Sequence, residues 1–169
     1  MVCGIRSWTL QDAEKLAQML NNKNILDNLR DGLPYPYTAD DAREYINAML
    51  GSDKNEVFAF AITCGGELAG SIGAFRQSNI HSRTAELGYY VSEKFWNAGV
   101  ATCAVKAICK YVFENSDIIR IYAEPFARNK ASCRVLEKAG FVYEGTLRAN
   151  AVKCGVVEDM KMYSILSTD

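Results

Sequence analysis

The sequence predicts an α/β domain with a mixed, mostly antiparallel seven-stranded sheet flanked by about four helices. Residues 85–91 form an aromatic and aliphatic run, a glycine-containing loop and an amphipathic helix follow it, and residues 118–123 form a β-branched run. This order predicts a strand–helix–strand unit at the centre of the sheet. Gly65 and Gly66 separate two further strand-like runs, which is typical of an antiparallel hairpin. The length of 169 residues fits one domain, residues 1–169.

The N-terminal third is predicted to be one strand followed by helices. Residues 2–7 alternate weakly and predict a first strand, and Thr9 is a good N-cap for a helix that runs to Leu20. A short helical piece over 24–29 leads into residues 30–37, where two prolines and a glycine exclude regular structure. Thr38 then caps a third helix, which ends at Gly51.

The middle of the chain is predicted to hold the sheet's central strands. Strands are expected over 56–63 and 67–76 on either side of the glycine turn, and over 85–91, where the apolar composition suits a strand that is buried on both faces. The helix that begins at Gly99 has apolar residues at three- and four-residue spacing. These are Ala101, Ala104, Val105, Ile108 and Val112.

The C-terminal part is predicted to add one helix and the last strands. Pro125 ends the regular pairing of the 118–123 strand, and Asn129 caps a helix that Gly140 stops. Strands over 141–147 and 156–165 are expected to complete the sheet, joined by a polar loop through Asn150 and Lys153.

The loop before the helix that begins at Gly99 has the composition of an anion site. A strand, a loop and a helix N-terminus direct unpaired N–H groups and the positive end of the helix dipole to one point, and a pyrophosphate is a common guest there. Gly99 and Ala101 would let phosphates approach the backbone closely. An ordinary strand–loop–helix connection explains these residues equally well.

Composition excludes several function classes. A net charge of −1 and a pI near 5.9 give no basic footprint for nucleic acid or an anionic membrane. No 18-residue apolar run occurs and the first residues are too polar for a signal peptide, so we expect a cytoplasmic protein. The six cysteines are scattered without a C-x-x-C pair, and the chain has a single histidine as a further possible metal ligand. This pattern predicts free thiols and no metal site.

Four blocks, in order, resemble the GNAT superfamily of acetyl-CoA-dependent N-acetyltransferases, and within it the ribosomal-protein N-terminal acetyltransferase branch. They are residues 28–37 (NLRDGLPYPY), the strand 85–91 (AELGYYV), the loop 95–102 (FWNAGVAT) and the N-x-x-S block at Asn129, followed by Gly140-Phe141. The loop resembles the superfamily's Q/R-x-x-G-x-G/A phosphate motif, with Trp96 in the Q/R place. The resemblance spans nearly the whole chain and implies the GNAT fold.

The resemblance implies acetyl-CoA as co-substrate. The residues expected to bind it are Tyr89, Tyr90, Val91, Asn97, Ala98, Gly99, Val100, Ala101, Thr102, Asn129 and Ser132. Because the loop lacks the basic or glycine residues common at 96–98, pyrophosphate binding is expected to depend more on backbone N–H groups. Asn129 is explained equally by simple N-capping of its helix.

The implied reaction is direct attack of a primary amine on the acetyl thioester, for which the ammonium must first lose a proton. Glu86 is one candidate base; alternatively, it bonds a neighbouring strand or an arginine such as Arg83. Glu124 is the other, since some relatives carry a catalytic glutamate there, and its alternative is a solvated strand-end acid. The residues leave this choice open.

The remaining roles also follow from the resemblance. Ser132 is the candidate proton donor to the coenzyme thiolate; alternatively, it is a helix-start hydroxyl or a coenzyme contact. Several relatives use a tyrosine as the general acid, and Leu136 stands at that place here. A backbone N–H near Tyr90 or Val91 would receive the oxyanion.

The acceptor amine is expected to enter between residues 24–45 and the loop near 148–155. Candidate contacts are Arg30, Asp31, Tyr35 and Tyr37, although such residues often serve only surface and packing. The pattern does not specify whether the amine is a peptide N-terminus or a small molecule. An exposed edge strand over 156–165 would support a homodimer.

Two function classes remain. The first is an N-acetyltransferase acting in a ternary complex with acetyl-CoA and an amine. The second is a non-catalytic coenzyme A-binding sensor or interaction domain with the same fold. Amine-dependent turnover of acetyl-CoA separates them.

Overall fold

A computed structural model describes all 169 residues as one seven-stranded sheet with helices on both faces. The strands are β1 (Cys3–Arg6), β2 (Val57–Cys64), β3 (Glu67–Arg76), β4 (Thr84–Val91), β5 (Arg120–Ala123), β6 (Val142–Lys153) and β7 (Val156–Leu166). The helices are α1 (Ala13–Leu20), α2 (Lys23–Leu26), α3 (Ala39–Leu50), α4 (Val100–Asn115) and α5 (Lys130–Lys138). None of these helices is both long enough and apolar enough to span a bilayer.

The sheet order is β1-β2-β3-β4-β5-β7-β6, and every pair except β4–β5 is antiparallel. The mixed, mostly antiparallel sheet and the central strand–helix–strand unit β4–α4–β5 confirm the predicted fold class. A right-handed crossover through a helix is the usual way to join two parallel neighbours.

Two apolar clusters hold the helices against the sheet. The larger joins the central strands to α4 and α5 through residues such as Ile72, Val105 and Leu136. The smaller packs α1 and α3 on the sheet through residues such as Leu16 and Ile46. All of these side chains are at most 1% exposed, so the hydrophobic effect fixes the two helical layers.

Local signals set the ends of most elements as predicted. Thr38 and Asp41 form a capping box at the start of α3, and Gly140 takes φ +97° after α5, which an L side chain rarely adopts. Gly65 and Gly66 both have positive φ in the β2–β3 turn. The first helix begins with a 3₁₀ turn over Leu10–Asp12, and α2 ends at Leu26 instead of residue 29.

The last two strands differ from the prediction. β6 continues to Lys153 and the hairpin turns at Cys154–Gly155, so no long polar loop joins β6 and β7. The polar residues near Asn150 lie where the β6–β7 register slips between Leu147 and Ala151. A bulge of this kind accepts polar residues within a continuing strand, which is why composition alone suggests a loop.

The predicted edge strand is also wrong. β7 lies inside the sheet between β5 and β6, and β6 is the edge. The cause is the pairing of β7 with β5, which local sequence does not encode. The homodimer argument from residues 156–165 therefore loses its basis.

The central strand β4 is buried mainly on one face, contrary to the prediction. Ala85, Leu87 and Val91 are buried, whereas Gly88 is exposed and Glu86 and Tyr90 are half-buried. The half-open face lines the site described next.

Candidate active site

β4 and β5 separate after only three paired positions. They pair from Thr84↔Arg120 to Glu86↔Tyr122 and no further, although β4 continues to Val91. Beyond that point, Phe126 forms a bridge with Met160 of β7, and β4 stays with β3. Pro125, which has no N–H, marks the divergence. The result is a groove along the β4 edge with unpaired backbone groups.

The loop at one end of this groove presents backbone N–H groups. Asn97 and Gly99 have φ of +60° and +76°, and the first helical hydrogen bond of α4 runs from the Cys103 N–H to the Gly99 carbonyl. The N–H groups of Val100, Ala101 and Thr102 therefore lack an intrahelical acceptor. Val100 is buried and Ala101 and Thr102 are half-buried, but the loop residues before them, Trp96 to Gly99, are exposed, so solvent reaches the start of α4. Free N–H groups at such a helix start are suited to an anion.

Trp96 ties the loop to the end of β4. Its indole Nε1–H donates to the Val91 carbonyl at 2.8 Å. This bond explains how an indole can stand in the Q/R place of the loop motif, because it shapes the loop without contributing charge. It also occupies the Val91 carbonyl, one of the groups predicted to pair with the coenzyme.

A tyrosine and a serine meet across the groove. The Tyr89 hydroxyl lies 2.8 Å from Ser132 Oγ, which joins β4 to the first turn of α5. Burial raises the pKa of Tyr89, so its phenol stays protonated. Asn129 caps α5 by accepting from the Ser132 N–H, as the simpler alternative predicted, and Tyr90 packs against the smaller apolar cluster.

Glu86 and Glu124 lie together where the strands diverge. Both side chains are 21% exposed, and Arg30 from the 27–31 segment contacts both, touching Glu86 Oε1 and approaching Glu124 Oε2 at 3.6 Å. Glu86 is therefore paired with an arginine, as the alternative for it expected, but the arginine is Arg30, whereas Arg83 bonds Asp117. The pairing with Arg30 joins parts of the chain that are more than 50 residues apart in sequence.

The two carboxylates differ in their hydrogen bonding. The Tyr122 hydroxyl donates to Glu86 Oε2 at 3.2 Å, so Glu86 is held by a donor on each oxygen. Glu124 has only the longer approach to Arg30. Burial first, and then the charge of Glu86, raise the pKa of Glu124, while Arg30 lowers it. Burial together with both glutamates raises the pKa of Tyr122 to about 12, which keeps it a donor.

A pocket of about 350 Å³ opens beside these carboxylates. Its walls are Arg30, Asp31, Glu86, Glu124, Phe126, Asn150, Ala151, Val152, Lys153 and Met160. Lys153, only 11% exposed, pairs with Asp31 at 2.8 Å. A second pocket of about 270 Å³ continues outward past Tyr35.

Three of the four predicted acceptor contacts therefore lie at the pockets. The fourth, Tyr37, is 4% exposed within the smaller apolar cluster and lines neither pocket. Sequence reasoning missed Tyr122 and Lys153. The register position of Tyr122 opposite Glu86 depends on strand pairing, whereas Lys153 lies in the 148–155 region that the resemblance indicated.

Comparison with known proteins identifies the family. Residues 3–142 match the family model described as an acetyltransferase (GNAT) domain. The probable N-acetyltransferase YjcK of Bacillus subtilis is 34% identical over 136 residues, which cover 79% of this chain and 75% of YjcK.

Two solved structures share the fold. A RimL ribosomal L7/L12 α-N-protein acetyltransferase in complex with coenzyme A superposes with a TM-score of 0.84 at 23% identity, covering 98% of this chain and 94% of that one. The spermidine N-acetyltransferase of Vibrio cholerae, in complex with coenzyme A and spermine, gives 0.82 at 23% identity, covering 98% and 96%. The chain therefore belongs to the GNAT family of acetyl-CoA-dependent N-acetyltransferases.

Proposed function

We propose that the chain transfers the acetyl group of acetyl-CoA to a primary amine by direct attack, with Glu124 as the general base. The observation that carries this is the pair of partly buried carboxylates at the mouth of the β4–β5 groove. The α4 N-terminal loop at the other end of the groove suits the pyrophosphate. The pocket of about 350 Å³ provides room for the acceptor.

The choice of Glu124 over Glu86 is supported by their partners. A base needs a free lone pair within hydrogen-bond reach of the ammonium and a pKa that approaches the working pH. Glu86 has both oxygens occupied by Arg30 and Tyr122, whereas Glu124 has a raised pKa and no hydrogen-bond donor at short range. In this proposal Glu86 raises the proton affinity of Glu124 through its charge.

The reaction then follows from these groups. Glu124 takes a proton from the acceptor ammonium, and the neutral amine attacks the acetyl carbon. A backbone N–H near Tyr90 or Val91 stabilises the oxyanion of the tetrahedral intermediate. When the C–S bond breaks, the nitrogen gives its second proton to solvent, and the thiolate, with a pKa of roughly 8.5, takes a proton from the Ser132 hydroxyl, which is bonded to Tyr89. Ser132 regains a proton and Glu124 releases its own to solvent before the next turnover.

The acceptor class stays broad. The RimL enzyme acetylates the ribosomal protein L7/L12, and the Vibrio enzyme acetylates spermidine. The shared fold therefore accommodates different amines. We propose a peptide α-amine or a small-molecule amine acting in a ternary complex with acetyl-CoA. A cytoplasmic location remains our expectation.

Calorimetric titration with acetyl-CoA tests the coenzyme site, using Gly99→Glu and the matched control Gly66→Glu. Both glycines have positive φ, +76° and +83°, and neither has an atom within 4 Å of an added Cβ, so the backbone strain is similar. We expect Gly99→Glu to abolish saturable binding, because it places a negative charge in the phosphate loop. Equal binding by both variants would contradict this placement.

Release of coenzyme A in the presence of an amine panel tests the chemistry. We expect amine-dependent release by the wild-type protein and a loss of about 10²-fold or more in kcat for Glu124→Gln, with acetyl-CoA binding retained. Binding of acetyl-CoA without turnover of any amine would favour the non-catalytic sensor instead.

A further inference from the structure

Arg30 occupies the position in which an acceptor cation would have to sit. Its guanidinium contacts Glu86 and lies 3.6 Å from Glu124, and it forms part of the wall of the pocket beside them. An amine that gives its proton to Glu124 must bring its nitrogen to about 2.6–3.2 Å from that carboxylate. Two cations cannot hold the same place between the two carboxylates, so binding of one requires movement of the other.

The surroundings of Arg30 allow this movement in the side chain alone. The Arg30 side chain is 63% exposed and belongs to a segment without helix or strand structure. The segment is anchored on both sides of Arg30, by the hydrogen bond from Arg128 to the Asp27 carbonyl and by the ion pair between the Lys153 and Asp31 side chains. The guanidinium can therefore leave the carboxylates while its segment stays in place.

The carboxylate pair needs a cation beside it both before and after the exchange. Glu86 and Glu124 share a half-buried position, where their like charges repel each other. One cation between them relieves that repulsion, whether it is the guanidinium or an alkylammonium. An acceptor ammonium can therefore take over the role of the Arg30 guanidinium at the same two carboxylates.

We propose that Arg30 is a specificity-determining residue: its guanidinium is an internal competitor that the acceptor ammonium displaces from the Glu86–Glu124 pair. This inference rests on the proposed acetyl transfer at the same site. Because an amine must displace Arg30, amines that bind weakly to the carboxylates are excluded. While no acceptor is bound, Arg30 holds the two carboxylates in place.

Steady-state kinetics of Arg30→Gln tests the proposal, with Arg43→Gln as control. Arg43 also pairs with one carboxylate, Asp40, but on the exposed surface of α3. With the best amine from the panel, we expect the amine KM of Arg30→Gln to fall roughly two- to fivefold, the size expected when a partly exposed ion pair is removed. The KM for acetyl-CoA and the constants of Arg43→Gln should not change. A raised or unchanged amine KM would overturn the proposal.

A measurement without turnover separates this inference from the proposed function. The ¹⁵N side-chain resonance of Arg30, assigned with Arg30→Gln, is followed during titration with propylammonium. We expect a saturable shift in the wild-type protein that Glu86→Gln and Glu124→Gln weaken. A shift without acetylation of any amine would keep the exchange and reject the transferase proposal, whereas an Arg30 resonance that does not respond would reject the exchange.

Discussion

Glu124 shows how burial and two charged neighbours determine the chemistry of one carboxyl group. Burial withdraws its charged form from water and raises its pKa, and the nearby charge of Glu86 acts in the same direction. Arg30 acts in the opposite direction because it stabilises the carboxylate. A base must be ionised to accept a proton. The raised pKa therefore predicts that, as the pH is lowered, activity is lost at a higher pH than it would be with an ordinary glutamate.

Glu86→Gln should therefore move the acidic limb of kcat/KM to lower pH. The substitution removes the negative charge that raises the pKa of Glu124, while the amide oxygen can still accept from Tyr122. We expect kcat at neutral pH to fall less than in Glu124→Gln, as measured by pH-dependent release of coenzyme A.

The matched control for that profile is Glu114→Gln, which removes a carboxylate of the exposed Lys110 pair on α4. Its acidic limb should coincide with that of the wild-type protein. A loss in Glu86→Gln as large as that in Glu124→Gln would identify Glu86 as the base instead.

At the scale of the elements, the position of β4 depends on its close packing against β3. A Cβ at Gly70 would lie 2.2 Å from the Tyr90 carbonyl oxygen and 3.0 Å from the Val91 Cα. Real Cβ atoms do not approach backbone so closely, so a side chain there must push the strands apart. Tyr90 and Val91 form the groove edge at which the thioester is proposed to bind.

Gly70→Ala should thus disturb both stability and coenzyme binding. Overpacking of a core typically costs about 1–3 kcal/mol, and we expect a loss of that size in urea unfolding. Acetyl-CoA affinity should fall as well, because the β4 edge moves. Gly4→Ala in β1, where an added Cβ meets no atom within 4 Å, should leave affinity unchanged. Normal affinity in Gly70→Ala would show that the edge does not contact the coenzyme.

The elements also show what a sequence can predict. The N-cap at Thr38, the glycine turn at Gly65-Gly66 and the loop before α4 each have a local cause and were predicted correctly. The extension of β6 to Lys153 was not predicted, because the polar residues at its bulge have the composition of a loop. The inner position of β7 and the meeting of Arg30 with Glu86 were not predicted either, because each depends on contacts between distant segments. Local patterns contain no record of such register.

At the scale of the whole molecule, the pocket lies where the N-terminal helical region meets the C-terminal hairpin. Arg128, just after β5, joins the two. Its guanidinium donates to Glu158 of β7, to the Asn28 side chain and to the Asp27 carbonyl. Lys153 at the end of β6 adds the pairing with Asp31. These contacts hold the segment that carries Arg30 over the carboxylate pair.

Arg128→Ala should loosen that segment without disturbing the phosphate loop. The variant loses hydrogen bonds to both parts of the chain, so amide hydrogen exchange across residues 27–31 should accelerate. The KM for the amine should fall, in the same direction as in Arg30→Gln and by no more than roughly two- to fivefold, because the Arg30 guanidinium competes less well when its segment is loose. The affinity for acetyl-CoA should stay the same, because α4 and its loop lie outside these contacts. Arg134→Ala on the exposed face of α5 is the control and should change neither quantity. If the affinity for acetyl-CoA falls as well, Arg128 supports the whole groove. The proposed separation of the coenzyme site from the amine site is then wrong.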